Sequence, residues 1–216
     1  MADAFEVDGL RSLGHRTVFV RSVPVPTLVL GSTQDRSIVD AAARERRGVA
    51  LIRRRSGGGA VLLGPGTVVW LDTWVPGRDP LWQDDVARSR LWVGEWWKAA
   101  LGGAAAVHRG VPVTNRWSRS VCFAGLDSGE VTRGGRKVVG VAQWRGREGA
   151  LTHSLAYRAV DWSTIAELLG LEPGAAAALD EVAAPLEPGA AGQTDLIDRL
   201  LGSLPDGPTW EVRRSP

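Results

Sequence analysis

The chain has 216 residues, 44% of them hydrophobic and 23% charged, proportions of an ordinary globular protein whose core needs no covalent staples. Its single cysteine excludes a disulfide framework or a cysteine-based zinc cluster, and a net charge of +2 is too small to argue for a nucleic-acid or anionic-membrane partner. No apolar run reaches the ~18–20 uncharged residues of a membrane span, and the opening MADAFEVDGLRSLGHR carries acids where a signal peptide would be basic and then apolar, so a cytoplasmic location is expected.

In chain order, residues 1–16 are polar and weakly patterned. TVFV (17–20) and TLVLGS (27–32) read as strands separated by Pro24 and Pro26, which interrupt a ladder. SIVDAAARER (37–46) reads as a short helix closed by Gly48. VALIRR (49–54) is a strand running into SGGG (56–59), and AVLL (60–63) resumes extended structure. A third long strand covers GTVVWLDTW (66–74), followed by the Pro/Gly loop VPGRDPLW. The longest helix is expected over 84–101, with Val86, Leu91, Val93, Trp97 and Leu101 forming its apolar stripe and Gly102-Gly103 ending it.

Residues 104–120 read as irregular. Strands are then expected over 120–125, 129–133, 136–145 and 150–158, with the glycine pair 134–135 as a hairpin turn. After Asp161 the composition turns helical, in DWSTIAELLGL, PGAAAALDEVAAPL and QTDLIDRLLGSL. Neither an internal repeat nor a composition break divides the chain. The expected organisation is one domain over 1–216 with a helical tail from about 161. Its fold class is α+β, mainly antiparallel sheets with packed helices. The ten tryptophans read as core and pocket lining, since a base-stacking platform would need a basic groove.

Three segments carry chemistry. RRRSGGGAV (53–61) places three glycines at a strand end. Such a run weakens a strand, which a close approach of backbone N–H groups to a ligand would offset; a plain turn or bulge is the alternative. No Gly-Lys-Ser/Thr follows, so it is not a phosphate loop of the common kind. GGRKVVGVAQ (134–143) puts Lys137 inside a strand, and of 26 basic residues only Lys98 and Lys137 are lysines. A half-buried lysine needs water, a carboxylate or a bound anion at its ammonium; an exposed edge lysine is the other reading. Cys122 lies fifteen positions before Lys137. A lone cysteine is ordinarily a small packed residue, and it becomes reactive beside a cation.

Together these segments resemble the lipoate–protein ligase A and octanoyltransferase family, which shares a catalytic fold with biotin–protein ligases. RRRSGGGAV resembles its glycine motif, GGRKVVGVAQ its lysine strand, ALTHSL (150–155) its following Leu-x-His strand, and PTLVLGSTQ (26–34) its first strand, so the likeness covers about residues 17–170. The resemblance implies a biotin/lipoate-ligase-like catalytic domain that transfers a lipoyl or octanoyl group to a lysine of lipoyl domains. It places Arg53, Arg54, Arg55, Ser56, Gly57, Gly58, Gly59, Ala60, Gly140 and His153 against the substrate. Lys137 would stabilise charge developing on the phosphate or carbonyl oxygen. Neither a metal site nor a tightly bound cofactor is implied. The partners would be E2 subunits or the glycine-cleavage H protein, together with acyl carrier protein where that supplies the acyl group.

The family holds two reaction types. Ligases activate free lipoate with Mg-ATP to an acyl-adenylate. One branch of octanoyltransferases instead passes the acyl group through a cysteine thioester, and Cys122-Phe123 ahead of Lys137 looks like that arrangement. The run RRRSGGG is of the ligase type, whereas the 46 residues after position 170 are short for a ligase's accessory domain. Leu62-Leu63 replace a polar pair, Ser32 an arginine and Ser154 a glycine of the family pattern. A non-catalytic, degenerate homologue that binds an acyl ligand is therefore the competing expectation, with a biotin ligase as a third.

Overall fold

The computed structural model of the chain describes residues 9–187 and 193–215. Its elements in order are β1 (Thr17–Arg21), β2 (Thr27–Leu30), α1 (Ala41–Arg46), β3 (Ala50–Arg53), β4 (Val61–Leu63), β5 (Val68–Pro76), α2 (Leu91–Leu101), β6 (Ala105–Val107), β7 (Val131–Arg133), β8 (Arg136–Arg145), β9 (Gly149–Tyr157), α3 (Trp162–Leu168), α4 (Ala175–Val182), α5 (Gln193–Gly202) and β10 (Glu211–Arg214). Ten strands form a seven-stranded sheet, ordered β10-β1-β5-β9-β8-β7-β6, and a three-stranded sheet, ordered β3-β2-β4. Pairing is antiparallel except for β1 with β10 and β2 with β3. The architecture is α+β, as expected.

Strands β5 and β9 are buried almost from end to end, because both faces of the large sheet are covered. Side chains of a strand alternate between faces. On one face Val69 and Leu71 meet Val93, Trp97 and Leu200 of α2 and α5. A buried hydrogen bond from Trp96 Nε1 to the Leu200 carbonyl (2.6 Å) joins the two helices. On the other face Val68, Trp70, Leu155 and Tyr157 meet the small sheet, α1, α3 and α4 in the largest core cluster. Trp70, Trp74, Trp96, Trp97, Trp117 and Trp162 are all buried. Among the described residues no helix is long and apolar enough to cross a membrane.

Four expectations are corrected. The helix expected over 84–101 begins at Leu91, after a tight turn at Arg88–Arg90. Asp85 accepts the Arg88 amide (2.9 Å) and so works as a cap ahead of that turn, leaving Val86 exposed rather than in the stripe. The stretch 104–120 contains β6, a three-residue edge strand too short to leave a pattern. The strand expected over 120–125 is a single bridge, Val121 with Ala60, followed by a 3₁₀ turn at Cys122–Ala124. The tail from 161 is helical only to Gly202, and β10 then returns to pair with β1. Buried Arg16 holds that return, since it forms a two-pronged ion pair with Asp79 and donates to the carbonyls of Pro205 and Asp206.

Candidate active site

Register builds the floor of the site. In β5, β9 and β8, Trp70, Leu155 and Gly140 stand in one cross-strand row, and Asp72, His153 and Ala142 in the next. Directly paired residues share a face, and so do residues two apart, so both rows look toward the small sheet. Val61 and Leu63 of β4 and Arg54, just past β3, close over them, with Cys122 and Phe123 alongside. The result is a narrow, almost wholly apolar slot of about 40 Å³. Gly140 lets the Phe123 ring pack closely here, since a Cβ would stand 3.0 Å from it and press it aside by a few tenths of an ångström. Leu63 is buried in the slot wall, so the departure from the family's polar pair supplies apolar lining.

Beside the slot lies an open cleft of about 360 Å³, bordered by Gly57–Gly59, Arg90, Glu130 and Lys137. Cys122, Val141 and Ala142 line both spaces. The half-buried thiol therefore sits where slot and cleft meet. Its turn is clasped to the glycine loop, for the Ala60 amide donates to the Ser120 carbonyl (2.8 Å) and the Cys122 amide to the Ala60 carbonyl (3.0 Å). Gly59 makes this possible, because a Cβ there would lie 2.5 Å from the Val121 backbone. Gln34, the last residue of the first-strand motif, accepts the Gly31 amide and donates to the carbonyls of Arg119 and Ser120, fastening the same segment from β2.

Lys137 is buried. Its ammonium donates to the carbonyls of Cys122 (2.8 Å) and Gly125 (3.1 Å) and pairs with Glu130 Oε1 (2.6 Å). Burial pushes the Glu130 carboxyl above its ordinary range, although Lys137 and the amides of Asp127 and Val141 pull the other way. Arg54 is buried too, and its Nη2 donates to the carbonyls of Gly57 (2.7 Å) and Gly59 (2.9 Å). Its Nε and Nη1 are buried without a hydrogen-bond partner. Burial lowers the affinity of this guanidinium for its proton, and nearby Cys122 and Tyr157 oppose the effect.

On the slot floor His153 is held through Nδ1 by Asp72 Oδ1 (2.8 Å). Asp72 also accepts from Trp70 Nε1 (2.6 Å) and Arg21 Nε (2.8 Å). Burial alone would raise this carboxyl, but His153 and Arg21 outweigh it and hold it below its usual range. The neighbouring Ser154 is satisfied by the Leu71 carbonyl (2.8 Å). Among the described residues no three His, Cys, Asp or Glu side chains gather as metal ligands.

The structure thus brings together Arg54, Gly57, Gly58, Gly59, Cys122, Lys137, Gly140 and His153 around one slot and cleft. Ala60 and Ser56 are buried behind the loop, where the Ser56 carbonyl accepts the Ser32 amide (3.0 Å). Arg53 and Arg55 are exposed and line neither space. Sequence reasoning missed Glu130 and Asp72, and both had a signal. Glu130 is the only acid between Ser128 and Arg147, the neighbourhood from which a buried Lys137 had to draw its partner, and Asp72 interrupts the otherwise uncharged strand VVWLDTWV.

The family model described as the lipoyl protein ligase A/B catalytic domain matches residues 12–184. Among solved structures, a chain from the study of a bi-partite lipoate protein ligase and its E2 lipoyl domain from Thermoplasma acidophilum superposes with a TM-score of 0.71 at 16% identity, over 93% of this chain and 75% of that one. Lipoate-protein ligase A bound with ATP gives 0.68 at 16% identity, over 93% and 75%. Plasmodium falciparum LipL1 in complex with lipoate gives 0.57 at 12% identity, over 93% and 54%. No curated protein sequence matched.

Proposed function

Because the chain belongs to the lipoyl protein ligase A/B catalytic-domain family, we propose that it carries a lipoyl or octanoyl group as a thioester on Cys122 and passes it to a lysine of a lipoyl domain. The observation that carries this reading is the position of Cys122 at the junction of an apolar slot and an open cleft. The apolar lining suits an acyl tail, of which each buried methylene contributes ~0.8 kcal/mol, with its carbonyl at the mouth beside the thiol. The cleft leaves room for the donor, acyl carrier protein, and then for the acceptor lysine of an E2 subunit or glycine-cleavage H protein.

The chemistry balances in two exchanges. The Cys122 thiol attacks the donor thioester, its proton passes to the departing carrier thiolate, and the acceptor amine later displaces Cys122 to give an amide and a free thiol. Lys137 grips the Cys122 carbonyl and so fixes the turn that aims the sulfur.

A second reading is favoured by the ligase-type run RRRSGGG: free lipoate would be activated with ATP to an acyl-adenylate in the same cleft. The intact mass of the protein after incubation with octanoyl-acyl carrier protein and no ATP separates the two. An added octanoyl group, removed by hydroxylamine and absent from Cys122→Ala, is expected. An unchanged mass, with adenylate formed from lipoate and ATP, would overturn the thioester route in favour of the ligase. Loss of both activities with retained octanoate binding would leave a non-catalytic acyl-binding homologue.

A further inference from the structure

The space between the two sheets does not end with the slot. Leu155 lines the slot, and Tyr157, two residues further along the same face of β9, lines a second pocket of about 270 Å³. Two strand residues span ~6.8 Å, so the pocket is the next step along the face that floors the slot. Among the described residues Leu63 alone borders both spaces. It is 1% exposed, so its side chain stands as the partition between them. Beside it Phe123 of the slot and Tyr157 of the pocket pack together, with ring centroids 4.8 Å apart.

The chemistry of the second pocket says what could enter it. Its walls include Val49, Leu62, Leu63, Tyr157 and Val160. The polar side chains on its border are engaged within the protein. Arg47 donates to Glu167 (2.8 Å), Thr164 to Asp161 (2.6 Å) and Thr67 to the Gly64 carbonyl (2.9 Å), while the Tyr157 hydroxyl accepts the Leu62 amide (3.2 Å). A charged head group would have to compete with these bonds, whereas a hydrocarbon end displaces only water.

We propose that Leu63 is a specificity-determining residue, the stop against which the end of the acyl chain rests, and that the pocket behind it takes the end of a longer chain once this side chain is shortened. The proposal deepens the reading above by naming the acyl groups that the site admits, octanoyl but not dodecanoyl. Leu63 stands where the family pattern has a polar residue, so the stop follows from this chain's own departure from that pattern.

The test compares the full-length wild type with Leu63→Ala and with Leu63→Ala/Val160→Phe, in which a ring refills the second pocket from its far wall. Binding of free octanoate and dodecanoate, each below its micelle concentration, is read from the rise in melting temperature. Wild type is expected to bind octanoate at least ~10-fold more tightly than dodecanoate. In Leu63→Ala dodecanoate should overtake octanoate, since each further methylene buried is worth about fourfold in affinity. The double variant should return to the wild-type preference. Loading of Cys122 from octanoyl- and dodecanoyl-acyl carrier protein, read by intact mass, should follow the same order. Equal binding of the two acids by wild type, an unchanged preference in Leu63→Ala, or a gain that Val160→Phe leaves in place would each overturn the proposal. If Leu63→Ala or the double variant does not fold, as judged by circular dichroism, Leu63→Val decides, and an unchanged preference between octanoate and decanoate counts against Leu63. Free acids that follow Leu63 with no acyl group ever found on Cys122 would sink the thioester reading and leave the stop standing. An acylated Cys122 whose chain preference is indifferent to Leu63 would do the reverse.

Discussion

At Lys137 and Glu130 two opposite charges sit in the interior, each almost fully withdrawn from water. Removing one partner of such a pair strands the other, at a cost of ~3–5 kcal/mol. Lys137→Met is therefore expected to abolish transfer and to lower the urea midpoint strongly. The double variant Lys137→Met/Glu130→Gln should recover most of the midpoint, since no buried charge is left, but not the transfer. Recovery of both would make Lys137 a purely structural residue. The glycine triplet shows how far residue identity could be read from sequence. That run announces a close approach but leaves open whether a ligand or a plain turn or bulge accounts for it, and the family resemblance points to the ligand. The structure shows both at work: all three glycines border the cleft, and Gly59 in addition gives way to the protein's own backbone at Val121 and Cys122. Proximity across 60 residues leaves no local trace.

The same contrast holds for elements. Long buried strands such as β8 and β9 were legible almost to the residue, because a long strand-forming run and the glycine pair 134–135 ahead of β8 are local signals. The short ones, β6 and β10, were not, because edge pairing depends on what lies opposite. Capping of helix starts also follows local rules. Asp161 caps α3 by accepting from Ser163 and Thr164, and these hydrogen bonds hold its carboxyl at about 2 against an ordinary 3.8. A depressed carboxyl stabilises the fold above its unfolded value, near pH 4, and that contribution disappears as the pH falls toward 2. Asp161→Ala is expected to cost about 1 kcal/mol at neutral pH. Asp161→Asn should keep much of the cap but flatten the acid side of the stability curve between pH 4 and 2. An unchanged acid limb in Asp161→Asn would remove the cap from the account of acid sensitivity.

For the molecule as a whole, the slot lies between two sheets rather than within either one. A tail that enters it bridges the layers and stabilises only the folded chain, so the melting temperature should rise with ligand concentration. At a hundred times its Kd, octanoate is expected to add ~2.7 kcal/mol, which is about 5–10 °C for a chain of this size. Biotin, whose bicyclic head does not match a narrow slot, should add much less. Equal shifts for both would mean that the slot does not select its ligand by shape. The clasp between Ala60 and Cys122 has a consequence of its own. Both amides are tied into backbone hydrogen bonds across the two segments, so neither can trade its hydrogen for deuterium until loop and turn part. Their exchange rates therefore act as a clock for how often the resting site comes apart, readable with no substrate present.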